Sequence, residues 1–278
     1  MKLQSIPAYL CAIFLVTDSF SQTLKYADSL FRASSFKHAA VYYEKALYES
    51  ANPSVNNQLL FKKAICYKQQ LDYKAELENL HRIQIQLCSD SFRYACYYEK
   101  SLSLYLSKNY SAAAQEMLNL NFFVRDSTLR LKNLYLEILI DCQMDLYEEA
   151  AVNMILFMKM EKLSPDSAML LKLKHPAFKN IQKARLMSAF LPGLGQAYTG
   201  QYKDATFSFL LTGGAAAYGI VSVIGQYYFS AVFTGATFCY RFYAGGLKYS
   251  QKCALNYNEQ KKNALIADIS DYLSLHLK

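Results

Sequence analysis

Apolar and polar residues are distributed along this chain in three patterns, and each predicts a different element. Near the start an apolar run, Ile6 to Val16, follows Lys2 and gives way to the polar stretch TDSFSQ. Further on, apolar positions recur at helical spacing in blocks that repeat. From Ala205 to Tyr240 no residue carries a formal charge.

The repeating blocks are phased by four aromatic residues, Phe36, Tyr73, Tyr110 and Tyr147, each 37 residues after the last. Three residues later come Ala39, Glu76, Ala113 and Ala150; seven later, Tyr43, Leu80, Met117 and Met154; ten later, Ala46, Ile83, Leu120 and Phe157. Offsets of three, seven and ten trace one stripe of an α-helix. Each stripe belongs to the second helix of a pair. The small residue permits close approach, and the larger ones fill the gap to the next pair. One pair cannot bury its apolar face alone, so pairs must stack. No glycine precedes Gly193, which predicts continuous helices whose turns avoid positive φ.

The stretch ADSLFRASSFKHAAVYYEKAL, from Ala27 to Leu47, resembles a tetratricopeptide repeat (TPR), with Ala27 in place of the usual Gly and no Trp. A second unit runs from Ala64 through Tyr67 to Tyr73 but carries Glu76 where Ala is usual. Leu104, Tyr110 and Ala113 mark a third, and Tyr147, Ala150 and Met154 a fourth. The period exceeds the family's typical value of about 34, so longer turns are expected, with Pro53 as one break. The resemblance implies a right-handed superhelix whose concave groove holds a protein or peptide. Polar first-helix residues Lys62, Lys63, Gln69, Asn133 and Glu137 are candidates for lining it.

The character of the chain changes near Pro192, after which it is glycine-rich and apolar. One membrane-spanning helix needs about 20 residues, so the 36 charge-free residues predict two short transmembrane helices turning near Gly225 and Gln226. Small residues four apart, such as Gly213 and Ala217 or Ala231 and Gly235, would let them touch. Just before lies SAFLPGLGQAYTGQY, Ser188 to Tyr202. Its Pro192, Gly193, Gly195, Gln196, Tyr198 and Gly200 resemble the P-G-x-G-Q-x-Y-x-G entry motif of small bacterial membrane modules, many of unknown function. The motif is also similar to the lead of the two-transmembrane-helix family, without that family's His-Arg pair. The glycines would serve helix packing and Tyr198 would anchor at headgroup depth. No strand precedes these glycines and no GK[ST] follows, so a phosphate loop does not fit. If Leu186–Tyr202 also crossed the bilayer, the C-terminal tail would change sides.

The leader has the n-, h- and c-region order of a signal peptide, with cleavage after Ser21 and an uncleaved anchor as the competing reading. Between Asp166 and Asp204 there are six basic residues and no acid: Lys172, Lys174, Lys179, Lys183, Arg185 and Lys203. Because an apolar region follows, anionic lipid is a better partner for them than nucleic acid, with a merely solvated basic helix as an equal competing reading. Cysteine spacing specifies no disulfide, and buried thiols are expected.

Four histidines, His38, His81, His175 and His276, stand at no metal-ligand spacing, and no hydrolase, metalloprotease or Walker sequence occurs. The reading is therefore an all-α protein: a TPR-like helical-hairpin solenoid, a Gly-rich transmembrane hairpin and a C-terminal helix. Its segments are a signal peptide (1–21), a repeat domain (22–162), a basic linker (163–185), a membrane module (186–250) and an amphipathic tail helix (251–278). The expected role is a scaffold for protein partners, anchored in the bacterial cytoplasmic membrane with the repeats on the periplasmic side. No catalytic residue, cofactor, metal or nucleic-acid partner is expected. The alternative is an accessory factor for envelope assembly or transport acting through the membrane module.

Overall fold

The structure, a computed structural model, describes residues 7–123, 127–164 and 166–276, with side chains described for all of these except 7–18, 127 and 128. The expected leader therefore lies mostly outside the described side chains. Among the described residues the chain is helical and contains no strand. It divides into two compact units at Leu163 and Ser164.

The first unit is a succession of helices: α1 Pro7–Arg32, α2 Phe36–Glu49, α3 Pro53–Gln69, α4 Tyr73–His81, α5 Asp90–Leu106, α6 Tyr110–Phe123, α7 Ser127–Gln143 and α8 Tyr147–Met160. Each packs against the next. The four phasing aromatics are the first residues of α2, α4, α6 and α8. All twelve residues in the three columns that follow them are buried, none more than 5% exposed. A fourth column appears in the first helices, where Ala27, Ala64, Ser101 and Ile138 stand 37 apart and are each fully buried. Burying one Leu-sized side chain is worth about 2 kcal/mol, so the recurring stripe is what holds successive helices together.

Turns with positive φ do occur in this glycine-free region, contrary to the sequence expectation. Ser34, Leu71, Lys108 and Asp145 have φ of 57, 60, 63 and 63°, and they too are spaced by 37. Each ends a first helix in a Schellman motif. The next residue's N–H bonds back to a helical carbonyl: Ser35 to Leu30, Asp72 to Tyr67, Asn109 to Leu104 and Leu146 to Asp141, at 2.9–3.0 Å. These bonds satisfy orphan carbonyls, and that gain offsets the strain of a left-handed side chain.

The second repeat departs from the pattern. Helix α4 stops at His81, so Ile83 sits beyond it although still buried. Asn57 on α3 replaces the missing helical bonds. Its Nδ2 donates to the Gln84 carbonyl (3.1 Å), and its Oδ1 accepts from the Gln84 N–H (3.0 Å). A short 3₁₀ turn, Ile85–Leu87, then leads to α5.

The second unit contains α9 Ser167–Lys174, α10 Ile181–Phe190, α11 Leu194–Tyr198, α12 Tyr202–Ile224, α13 Tyr228–Ser230, a π-helical segment Ala231–Ala236 and α14 Thr237–His276. Residues 163–185, expected as a linker, instead carry α9 and the start of α10, and both helices pack on α14. Asp166 and Asn180 cap them, each accepting backbone N–H bonds through its side chain, which is why helices form in a basic stretch. Helix α12 is about 35 Å long at 1.5 Å per residue, and among the described residues it alone is long and apolar enough to cross a membrane. Most of its apolar side chains are exposed, among them Phe207, Leu210, Ile220 and Val221. After Gly225 and Gln226 the chain returns along it, and Gly219 meets Gly235 at the crossing.

Candidate functional site

Two places gather chemistry, one in each unit. In the first unit, α6, α7 and the start of α8 enclose a recess of about 380 Å³. Its floor is apolar, with Met117 and Ile140, and its wall is polar. Arg130 Nη1 donates to Glu137 Oε1 (2.9 Å) and to Asn121 Oδ1 (2.7 Å). Asn121 Nδ2 also donates to Glu137, and Asn133 Nδ2 to Asn121 Oδ1 (3.2 Å). Opposite them Asn153 Nδ2 donates to Asp141 Oδ2 (2.9 Å).

Asp141 is the unusual member. It occupies the column of Leu30, Tyr67 and Leu104, where its carbonyl accepts the Schellman bond as theirs do. Its side chain puts a carboxyl where the other repeats put apolar bulk. Burial pushes that carboxyl up to about 6; the Asn153 bond opposes the shift, and Glu137 and Glu149 add to it. Three acids thus face one guanidinium that Glu137 already engages. Such a recess can take a cationic side chain with a long aliphatic stem, its ammonium or guanidinium meeting Asp141 and Glu149.

The groove candidates from sequence are not one open surface. Lys62 is half-buried and donates to Asp28 (2.7 Å), which the Tyr43 hydroxyl also reaches at 2.7 Å. Burial raises the Asp28 pKa, but the Lys62 and Tyr43 bonds outweigh it and hold the group below the usual carboxylate range. Lys63 is buried against Glu44 (2.7 Å). Asn133 and Glu137 are buried in the recess network, and Gln69 is exposed. The long first helices bring their polar faces against neighbouring helices, so most of these groups find partners inside the unit. Arg130, Asn121 and Asn153 gave no sequence signal. Asp141 gave one, as the residue that breaks an apolar column.

In the second unit the P-G-x-G-Q-x-Y-x-G residues make a tight crossing. Gly193 has φ 95°, and a Cβ there would lie 2.2 Å from the Ala205 carbonyl oxygen. A Cβ on Gly195 would lie 2.1 Å from the Ala184 carbonyl oxygen and 2.8 Å from Ser250 Cβ. Only glycine lets α11 pass between α10 and α14. Gln196 is fully buried. It accepts from Ser188 Oγ (3.0 Å) and donates to the Gly246 carbonyl (3.3 Å), and Ser188 also accepts from the Gly195 N–H. Gly200, at φ 82°, closes α11 in the same 6→1 turn used in the repeats. Pro192 lies in the turn between α10 and α11, and Tyr198 packs beneath Lys179 and Lys183. Leu186–Tyr202 therefore bends back at Pro192 and does not form a spanning helix of its own.

The cysteines with described side chains include Cys66 and Cys96 as buried free thiols. Burial pushes them up to about 11 and about 12, so they behave as small apolar groups. No family model, curated protein or solved structure matches the chain.

Proposed function

We propose that the chain is a membrane-anchored scaffold of tetratricopeptide type, which grips a protein partner through the first unit and holds to a bilayer through the second. The observation that carries this reading is the shared 37-residue period of burial and turn geometry. The buried columns and the left-handed turn residues Ser34, Leu71, Lys108 and Asp145 keep one phase across four helix pairs. Stacked pairs of this kind present a continuous surface suited to an extended peptide or a helix. The α6–α8 recess supplies a specific point on it, fitted to a basic side chain of the partner.

The bilayer part rests on the exposed apolar faces of α12 and of the helix that returns along it. Phe207, Leu210, Val221, Ile224, Phe229 and Phe233 all lie open, a patch far beyond what a monomer in water tolerates. No catalytic role is proposed.

The test places a photo-crosslinking residue at exposed Leu118, beside the recess, in cells expressing the full chain. A discrete crosslinked protein is expected, and it should be lost when Glu149 is also changed to Lys. Absence of any crosslink from Leu118, or one indifferent to Glu149→Lys, would refute the recess as the grip. Alkaline extraction of membranes tests the anchor, with retention in the pellet expected.

A further inference from the structure

At the start of α10 the second unit gathers cations that its own acids do not answer. Lys179 Nζ lies 4.5 Å from the centroid of the Tyr198 ring and 5.7 Å from that of Tyr257. Lys183 reaches the Tyr198 ring at 5.6 Å, and Lys261 reaches the Tyr257 ring at 5.7 Å. The segment before α10 is pinned to α14 by a reciprocal pair. Asn258 Oδ1 accepts from the Lys179 N–H (2.7 Å), and Asn258 Nδ2 donates to the Lys179 carbonyl (2.9 Å). Five residues far apart in sequence are thereby held together. Among the described residues no carboxylate pairs with Lys179, Lys183 or Lys261. Asp268 is occupied by Lys172 (3.1 Å) and Asp204 by the Tyr249 hydroxyl (2.7 Å).

Lys179 shares the Tyr198 ring with Lys183 and the Tyr257 ring with Lys261; like charges so paired repel, and contacts with tyrosine rings offset this only modestly. An anion from outside would complete the cluster. Its source follows from what adjoins it. Helix α10 carries Lys183 near its start and exposed Leu186 and Phe190 further along. Four residues past Tyr198, exposed Tyr202 opens the apolar helix α12. Cations flanked by tyrosines beneath open apolar side chains match the sequence of layers met at a bilayer surface. A nucleic acid would leave those apolar side chains in water.

We infer that Lys179, Lys183 and Lys261, with Tyr198 and Tyr257, form a docking site for the phosphate of an anionic glycerophospholipid. The inference rests on the bilayer reading above and adds the lipid class. A zwitterionic headgroup carries its own cation and would set it against the lysines. A phosphatidylglycerol headgroup brings net negative charge and hydroxyls.

The test is native mass spectrometry of the full chain in neutral detergent with equal phosphatidylglycerol and phosphatidylcholine. Wild type is expected to retain phosphatidylglycerol preferentially. The triple variant Lys179→Gln/Lys183→Gln/Lys261→Gln should lose at least about tenfold of that preference, since each lysine near an anionic surface contributes comparably. A matched control, Lys25→Gln/Lys37→Gln/Lys74→Gln, removes as much charge from exposed positions of the first unit and should keep it. The inference is overturned if the triple variant binds like wild type, if the control loses as much, or if millimolar inorganic phosphate strips the lipid. Retention of the protein in alkali-washed membranes without any lipid preference sinks this inference alone. Its release into the soluble fraction sinks the bilayer reading as well.

Discussion

Glu76 stands in the place of Ala39 one repeat earlier, equally and fully buried, and it brings a carboxyl to a position shaped for a methyl group. Neither of its carboxylate oxygens has a hydrogen-bond partner among the described residues. The Ser103 hydroxyl nearby donates instead to the Glu99 carbonyl (2.8 Å). An isolated buried carboxylate is costly, so burial pushes the Glu76 pKa up to about 7.

The consequence is a stability that falls with rising pH. The folded value lies above the unfolded one, about 4.3. The stabilisation is thus complete below the unfolded value and is lost as pH rises through the folded one. Asp141, pushed up to about 6, acts in the same direction. Glu76 alone accounts for about 4 kcal/mol at most. Denaturant titrations of the full chain between pH 4.5 and 8 should show the first unit weakening, and Glu76→Gln should flatten most of the slope. A Glu76→Gln profile as steep as the wild type's over this range would show that Glu76 is ionised at little cost.

The turn residues yield a prediction of opposite sign. Leu71 has a left-handed backbone and an exposed side chain, so it carries strain without contributing burial. Glycine removes that strain, worth roughly 1 kcal/mol, while costing unfolded-state entropy of comparable or smaller size. Leu71→Gly should be neutral to stabilising by up to about 1 kcal/mol, whereas Leu71→Val should destabilise, because a β-branched side chain fits this region worst. Thermal melts of the three proteins decide it.

This contrast also explains what could be read from the sequence. The phase of the repeat was visible because burial is written in residue type: Ala39, Ala113 and Ala150 must be small, and Leu120 and Phe157 must be apolar. The left-handed turns were not visible, because Ser34, Leu71, Lys108 and Asp145 share no chemistry. What they share is a backbone angle imposed by the helices on either side. The recess was half legible. Glu137 and Asn133 lay on a first-helix face, but Asn121 and Asn153 come from second helices and reach the site only through packing. In the second unit the glycines of the entry motif announced close contact, and the structure names what they contact: Ala205, Ala184 and Ser250. The helices within 163–185 were missed because a run of lysines beside an apolar region reads as a linker, whereas Asp166 and Asn180 cap two helices there.

Close packing at Gly195 makes its replacement severe. A methyl group would meet backbone at 2.1 Å from Ala184, which cannot yield without parting α10 from α11. Gly195→Ala should cost more than about 4 kcal/mol, in the range reserved for broken cores. Gly213, where a Cβ would have nothing within 4 Å, should accept Ala without loss, because Ala is the better helix former by about 1 kcal/mol. Protease resistance of the second unit in detergent distinguishes the two. Equal resistance of both variants would mean that the motif is not the crossing described.

The bend at Pro192 fixes a topology that labelling can read. On the proposed bilayer reading, Leu186–Tyr202 turns back on itself, so the chain would cross once through α12 and return along it. Lys174 and Leu275 then share one side of the bilayer, and Tyr227, at the hairpin turn, lies on the other. A third crossing would separate Lys174 from Leu275. Single cysteines at these three exposed positions, in a Cys239→Ala background that removes the half-buried thiol of the hairpin, can be probed in intact cells with a maleimide that does not cross membranes. The expected pattern is equal labelling of Lys174→Cys and Leu275→Cys, and the opposite result for Tyr227→Cys. The sense of the pattern tests the leader. An exported chain labels at 174 and 275, whereas the excess of lysine and arginine at the hairpin base would by itself favour the cytoplasmic side for both. Labelling of Lys174→Cys without Leu275→Cys would refute the hairpin whichever way the leader acts.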